Sequence, residues 1–317
     1  MTTSTLRVLT YHRVVGPDAA DAPSPSLVSA TPAVFAEQMR HLARRYRVIP
    51  ADEVVWAYRA GRRLPDRAVL ITFDDAYRDV GEIAWPILRR FGLPATVFVP
   101  TAHPDGGRTF WWDRLHHALG ATSCVVLDVV PLGRLPLHTP EARRAALRVL
   151  QGHLKSLPHA DAMRLVDELC DRLGLAAAQP PSNVHGWDEL RQLARDGMTI
   201  GAHTRTHPAL TRLPLHEARA EIGGSREDVR REVGTVPVIF AYPFGAHDDR
   251  VVEAARAEGF DLAVTCLDGH ARIPACDPLR LCRTNITPRT SSVVFRLRLS
   301  SLGPHVDRLR HRRPAPA

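Results

Sequence analysis

No run of about 18 consecutive apolar residues occurs in the 317-residue chain, so nothing in it reads as a membrane-spanning helix. The opening segment MTTSTLRVLTYHRVV lacks the basic patch and apolar stretch of a secretory signal, and a cytoplasmic protein is expected. Cysteine is scarce. The five present (Cys124, Cys170, Cys266, Cys276 and Cys282) are odd in number and form no C-x-x-C pair, which argues against a disulfide framework and a cysteine zinc site. Internal repeats and long low-complexity tracts are absent. Charge of one sign is not concentrated either: 42 Lys+Arg stand against 34 Asp+Glu, spread along the chain, with arginine far outnumbering lysine. The one basic block, Arg308, Arg310, Arg312 and Arg313 before Pro-Ala-Pro-Ala, reads as a solvated end. No nucleic-acid reading motif accompanies it, so nucleic acid is not an expected partner.

What is present is a chain with 44% hydrophobic residues, long enough to bury a large core. Short apolar runs at Leu6–Tyr11, Tyr46–Ile49, Ala68–Phe73, Ala95–Val99, Met198–Ala202, Val236–Tyr242 and Asp261–Thr265 predict seven strands. Amphipathic segments alternate with them at Ala33–Arg45, Asp79–Phe91, Trp187–Arg195, Leu215–Glu232 and Asp249–Glu258. This alternation predicts an α/β fold with a mostly parallel sheet, suited to an incomplete (β/α)7-type barrel. The interval after Phe110 is too long for a barrel connection. It predicts a largely helical insertion over 111–185, with helices at Pro140–Leu157 and Ala160–Leu173 and an exit linker at Ala176–Ser182. The barrel would then comprise 1–110 and 186–290, and 291–317 a C-terminal helix and basic tail. Leaving and re-entering at strand ends, the insertion is expected to roof a site there, with Arg143, Arg144, Arg148 and Lys155 available to a phosphate.

Polar residues gather at the C-terminal ends of the predicted strands, which converge on one face of a parallel barrel. Asp74-Asp75 follow an apolar strand, and adjacent part-buried carboxylates need a cation or hydrogen bonds to stay ionised; capping a following helix is the alternative. His203 and His207 stand four apart beyond another strand, either facing one ion or as unrelated surface histidines. With Asp75 they make two imidazoles and one carboxylate, the donor set of many mononuclear hydrolytic sites. Tyr242-Pro243-Phe244-Gly245 by itself is an ordinary Pro-Gly turn.

In order, TFDD, HTRTHP and YPFG resemble the signature motifs of the polysaccharide deacetylase family, also called the NodB homology domain or carbohydrate esterase family 4. LTYHRV, FWWDRL and GWDELRQLARDGMTIGAH resemble a branch of it, and the likeness covers roughly 5–110 and 186–290. The resemblance implies an incomplete (β/α) barrel, a divalent metal, Zn²⁺ foremost, on Asp75, His203 and His207, and Asp74 as general base. It implies a metal-dependent hydrolase that removes an N-acetyl or N-formyl group from an amino sugar in a glycoconjugate, polysaccharide precursor or sugar-containing metabolite. The oxyanion and substrate contacts would fall in the Tyr242–Gly245 loop, at Tyr242 and the backbone N–H of Phe244.

Two departures bear on this expectation. The better-known branch carries an arginine, bonded to the base, where this chain has Ala241; Arg283 is the candidate replacement. The Leu-x-His-Asp-like motif that supplies the acid is missing, leaving His12 and His270 as candidates. Trp111, Trp112 and Asp113 either border a sugar subsite or anchor a helix. The competing readings are a catalytically silent sugar-binding module and a nucleic-acid or membrane-surface protein using the basic tail.

Overall fold

Strands buried on both faces dominate the computed structural model, which describes residues 3–16, 24, 26–106, 108–174, 182–300 and 303. Of the expected exit linker only Ser182 is among them, and the arginine-rich tail lies outside the described residues. Seven strands form the barrel: β1 Ser4–Tyr11, β2 Ala68–Phe73, β3 Thr96–Val99, β4 Thr199–Ala202, β5 Ile239–Ala241, β6 Leu262–Asp268 and β7 Leu281–Asn285. Each pairs in parallel with the next, and β1 closes the ring by pairing with both β2 and β7. A strand in such a ring has no solvent face, which is why β2, AVLITF, is buried at every residue.

Side-chain alternation divides the core in two. Leu6, Val8, Leu70, Phe98, Ile239, Ala241, Val264 and Leu281 form the inner cluster with Val54 and Ala57 of the helix Ala51–Ala60. Phe240, Tyr242 and Ala263 point outward to Ile222 and Val251, on the helices Leu215–Val233 and Asp249–Ala257.

The ring differs from the sequence expectation at two strands. Arg47–Val48, within the run Tyr46–Ile49, pairs with β2 from outside the ring. β7 takes the seventh place, although Cys282, Arg283 and Asn285 interrupt its apolar pattern. One predicted helix is also divided: a π-helical turn at Val80–Ala84 precedes the α-helix Trp85–Arg90. Pro86 has no N–H to continue the ordinary ladder, and the Trp85 N–H bonds instead to the Val80 carbonyl.

The helix Ser292–Leu299, capped by Ser291, lies against the helix Pro32–Arg45, where His41 and Phe295 meet edge to face at 6.2 Å. It buries Arg298, which donates to Asp268 at 2.6 Å and to the Asn285 carbonyl, at the ends of β6 and β7. Among the described residues no helix is long and apolar enough to cross a membrane.

The chain divides into two compact units, Met1–Asp105 with Val184–Ala317, which holds the barrel, and Gly106–Asn183. The second unit contains more than two helices. It consists of the helix Trp111–Ala121, an antiparallel hairpin of Val126–Val129 and Gly133–Pro136, and the helices Pro140–Ser156 and His159–Arg172. Trp111 and Trp112 are buried, with Phe110 stacked on Trp112 at 4.4 Å. Arg143 is no open phosphate contact. Its guanidinium donates to the carbonyls of Leu137, Gly120 and Thr122, tying the first helix and the hairpin to the helix Pro140–Ser156.

Candidate active site

The chain turns sharply where the barrel strands end. Five of the seven non-glycine residues with positive φ among those described, Asp75, Ala76, Thr204, His207 and Phe244, lie in loops at these ends. Such conformations are costly for side-chain-bearing residues, so backbone strain is concentrated here. At the end of β2 the Asp74 N–H still bonds to the Tyr11 carbonyl at 2.9 Å, continuing the ladder. Asp75 then takes φ 73°. The adjacent carboxylates therefore diverge, Asp74 toward Arg283 and Asp75 toward the two histidines.

The histidine pair sits on an irregular turn. His203 continues the β4 ladder to the Val99 carbonyl, and Thr204 accepts the His207 N–H through its hydroxyl at 3.0 Å, folding His207 back. Glu221 accepts the N–H groups of Arg205 and Thr206 at 2.8 and 2.9 Å, while Asp228 pairs with Arg205 and accepts the Thr101 hydroxyl. Glu221 and Asp228 were not expected from the motifs. Their seven-residue spacing on one helix face, opposite an arginine between two candidate ligands, is the signal that could have found them. His103, buried just past β3, was also missed.

The ring nitrogens Nε2 of His203 and His207 are 3.1 Å apart, and a carboxylate oxygen of Asp75 lies 3.7 and 3.4 Å from them. All three ligand atoms fall within 4.8 Å of one another. The Nδ1 of His203 bonds to the Ala241 carbonyl at 2.7 Å, which places the proton on Nδ1 and aims the Nε2 lone pair into the gap. Burial lowers His203 to about 4, against the opposing charge of Asp74, and holds His207 well below the usual histidine range, with the His203 and His103 charges adding to it. Both rings are therefore neutral at pH 7, the form that ligates. Two neutral imidazole nitrogens and one carboxylate oxygen fit a divalent cation.

Asp74 is gripped from the barrel interior. Arg283, fully buried on β7, donates from Nη1 and Nη2 to its two oxygens at 2.7 and 2.8 Å, and from Nε to the Thr265 carbonyl at 2.7 Å. Burial would raise the Asp74 carboxyl; the Arg283 charge and hydrogen bonds outweigh it, helped by His203 and His12, and hold it well below the usual carboxylate range. Ala241 points into the inner cluster, and the guanidinium comes from two strands further round the ring. His12, at the end of β1, has its Nε2 4.0 Å from Asp74 with the side chain 32% exposed.

Phe244 and Tyr242 part company. Phe244 sits at φ 57° with its ring edge to face against His207 at 4.7 Å. The following Gly245 has φ 69°, and a Cβ there would stand 2.5 Å from the backbone nitrogen and Cβ of Cys266, so only glycine fits. Tyr242 faces the outer core, because it alternates with Ala241. Its N–H bonds to the Val264 carbonyl at 3.2 Å and its hydroxyl to the Leu279 carbonyl at 3.1 Å.

His270 lies elsewhere. The strand Ala271–Ile273 pairs antiparallel with the first half of β1, Ala271 opposite Leu6, and His270 Nε2 bonds to the Arg298 carbonyl at 2.8 Å. Burial, then the charges of Arg7 and Arg298, lower it from 6.5 to about 4. A depressed folded-state value means the unfolded chain binds the proton first, so stability is complete above pH 6.5 and lost as pH falls toward 4. The expected contribution is on the order of 2 kcal/mol after allowing for partial exposure. His270→Gln should therefore flatten the dependence of the urea midpoint on pH over this window; an unaltered slope would contradict the assignment.

The model of the family described as polysaccharide deacetylase matches residues 61–124 and 141–263. It thus enters the insertion and omits the first strand, unlike the span of motif likeness in the sequence. The Bacillus subtilis protein named "Putative polysaccharide deacetylase YxkH" is 20% identical over 226 residues, which cover 71% of this chain and 54% of that protein. The chain thus spans about half the length of this relative. Among solved structures, the deacetylase PplD of Streptococcus pyogenes, in complex with acetate, is 19% identical with a TM-score of 0.62, covering 94% of this chain and 100% of that one. A de-N-acetylase from Aggregatibacter actinomycetemcomitans is 17% identical with a TM-score of 0.61, covering 92% and 99%. These likenesses in structure establish the fold.

Proposed function

Since the chain belongs to the polysaccharide deacetylase family, we propose that it is a metal-dependent hydrolase removing an N-acetyl or N-formyl group from an amino sugar. The observation that carries this reading is the pairing of Asp74 with Arg283 directly beside the Asp75, His203 and His207 donors. Asp75, His203 and His207 would hold the cation, Zn²⁺ in our reading. When bound, it supplies a Lewis acid that polarises the amide carbonyl and acidifies water.

The chain's own residues then have separate tasks. Arg283 keeps Asp74 ionised and fixes its plane, so the carboxylate is ready to take the proton of the attacking water. The arginine makes Asp74 a weaker base, and only an acidified water matches it. The Phe244 N–H, turned by its left-handed backbone beside His207, would donate to the developing oxyanion. His12 would protonate the leaving amine, a role its position next to Asp74 and its partial exposure support. The substrate class is an N-acetylated sugar in a glycoconjugate, polysaccharide precursor or sugar-containing metabolite.

Purified protein should bind about one divalent ion, and His203→Ala or His207→Ala should remove it, since two remaining ligands cannot hold it. Metal content by mass spectrometry checks this; full occupancy in both variants would refute the site. The zinc-loaded protein should release acetate or formate from a panel of N-acylated amino sugars. Bound zinc without release from any sugar would favour a silent sugar-binding module. His12→Gln should lower kcat about a hundredfold, within the range for a general acid. His270→Gln should leave kcat unchanged, and the opposite ranking would reverse the assignment.

A further inference from the structure

The barrel unit has a cavity of about 770 Å³ between the helices Pro32–Arg45 and Ser292–Leu299, beside the first half of β1. Six arginines line it, Arg7, Arg40, Arg44, Arg45, Arg67 and Arg296, with Glu37 the one carboxylate. Arg67 directly precedes β2 and Asp74 directly follows it. The length of that strand, roughly 20 Å at about 3.3 Å per residue, separates the cavity from the candidate active site.

The charge is left largely uncompensated. Glu37 lies 3.9 Å from Arg296, and among the described residues no carboxylate pairs with Arg40, Arg44, Arg45 or Arg67. Arg7 donates to the Leu299 and Thr5 carbonyls, and Arg67 to that of Arg45, contacts that orient the guanidinium groups without neutralising them. Repulsion is registered within the group: burial and then the charges of Arg296 and Arg45 lower His41.

Compensation of a helix dipole explains Arg44 and Arg45, which stand in the last turn of the helix Pro32–Arg45. It does not explain Arg7 from a strand, Arg67 from a loop and Arg296 from another helix, converging on the same space. Guanidinium groups bind phosphate oxygens in pairs through parallel N–H donors. A cavity of this size admits more than a single inorganic ion. We infer that this cavity binds a multiply charged phosphate group, borne either by a small soluble ligand or by a lipid headgroup.

Inorganic pyrophosphate, titrated calorimetrically into the full chain at about 0.15 M salt, tests the soluble source. Co-sedimentation with phosphatidylcholine vesicles, with and without phosphatidic acid, tests the lipid source. The triple variant Arg40→Ala, Arg44→Ala, Arg296→Ala alters exposed residues only and should keep the wild-type melting temperature. Binding of either probe by the wild type, weakened at least about tenfold in the variant, is the expected result, and the probe that binds identifies the source. No binding of either, or equal binding by both proteins, as attachment through the basic tail would give, overturns the proposal.

Discussion

Asp74→Asn is expected to lower kcat/KM by about three orders of magnitude while leaving the metal content unchanged, within the range for loss of a general base. Asp75→Asn should instead lose metal, and activity with it. The reason is the divergence of the two carboxylates at the end of β2: Asp74 faces Arg283, and Asp75 stands 3.4 Å from His207. An amide at position 74 preserves shape and one acceptor but cannot take a proton. Metal analysis and acetate release on the same preparations separate the roles. Equal metal loss in both variants would show that the carboxylates share the ion.

The second large effect is expected at Arg283. Arg283→Met removes the partner of a carboxylate that is almost wholly buried, and breaking a buried pair from one side costs about 3–5 kcal/mol. Without its guanidinium partner Asp74 would hold its proton to higher pH, so the pH profile of kcat/KM should shift upward on its acidic limb. The double variant Asp74→Asn, Arg283→Met should recover much of the lost stability without recovering activity, because neither charge is then stranded. Chemical denaturation of the four proteins measures this coupling; additive losses would mean that the pair does not act as a unit.

How much was legible beforehand depends on what each strand carries. β2 announces itself as six apolar residues ending in two aspartates, and the histidine spacing is visible without a structure. β7 hides for a physical reason. Its arginine is buried inside the barrel to meet Asp74, so the residue that matters most there is the one that spoils the apolar pattern. Arg283 could be named as a candidate but not placed, since only the ring order puts β7 beside β1 and hence across from β2. The side chain of Tyr242 points to the outer core because a one-residue offset on a strand reverses the face, and Phe244 lies beyond the strand where that alternation ends. His270 precedes a strand that runs antiparallel to the ring, so proximity to a strand end did not mean proximity to the site.

Closure of the ring through β1 has a bearing on how the molecule is made. Leu9 pairs with Thr284, so β1, made well before β7, cannot complete its pairing until β7 has left the ribosome. Contacts this distant in sequence slow folding, and until β7 arrives β6 and the second half of β1 present open edges. The same strand delivers Arg283, which means that the buried carboxylate just past β2 acquires its counter-charge only in the step that shuts the barrel. A nascent chain stalled before residue 281 would be both unclosed and electrostatically unfinished, and the assembly of the face that carries Asp74 is thereby coupled to closure of the ring.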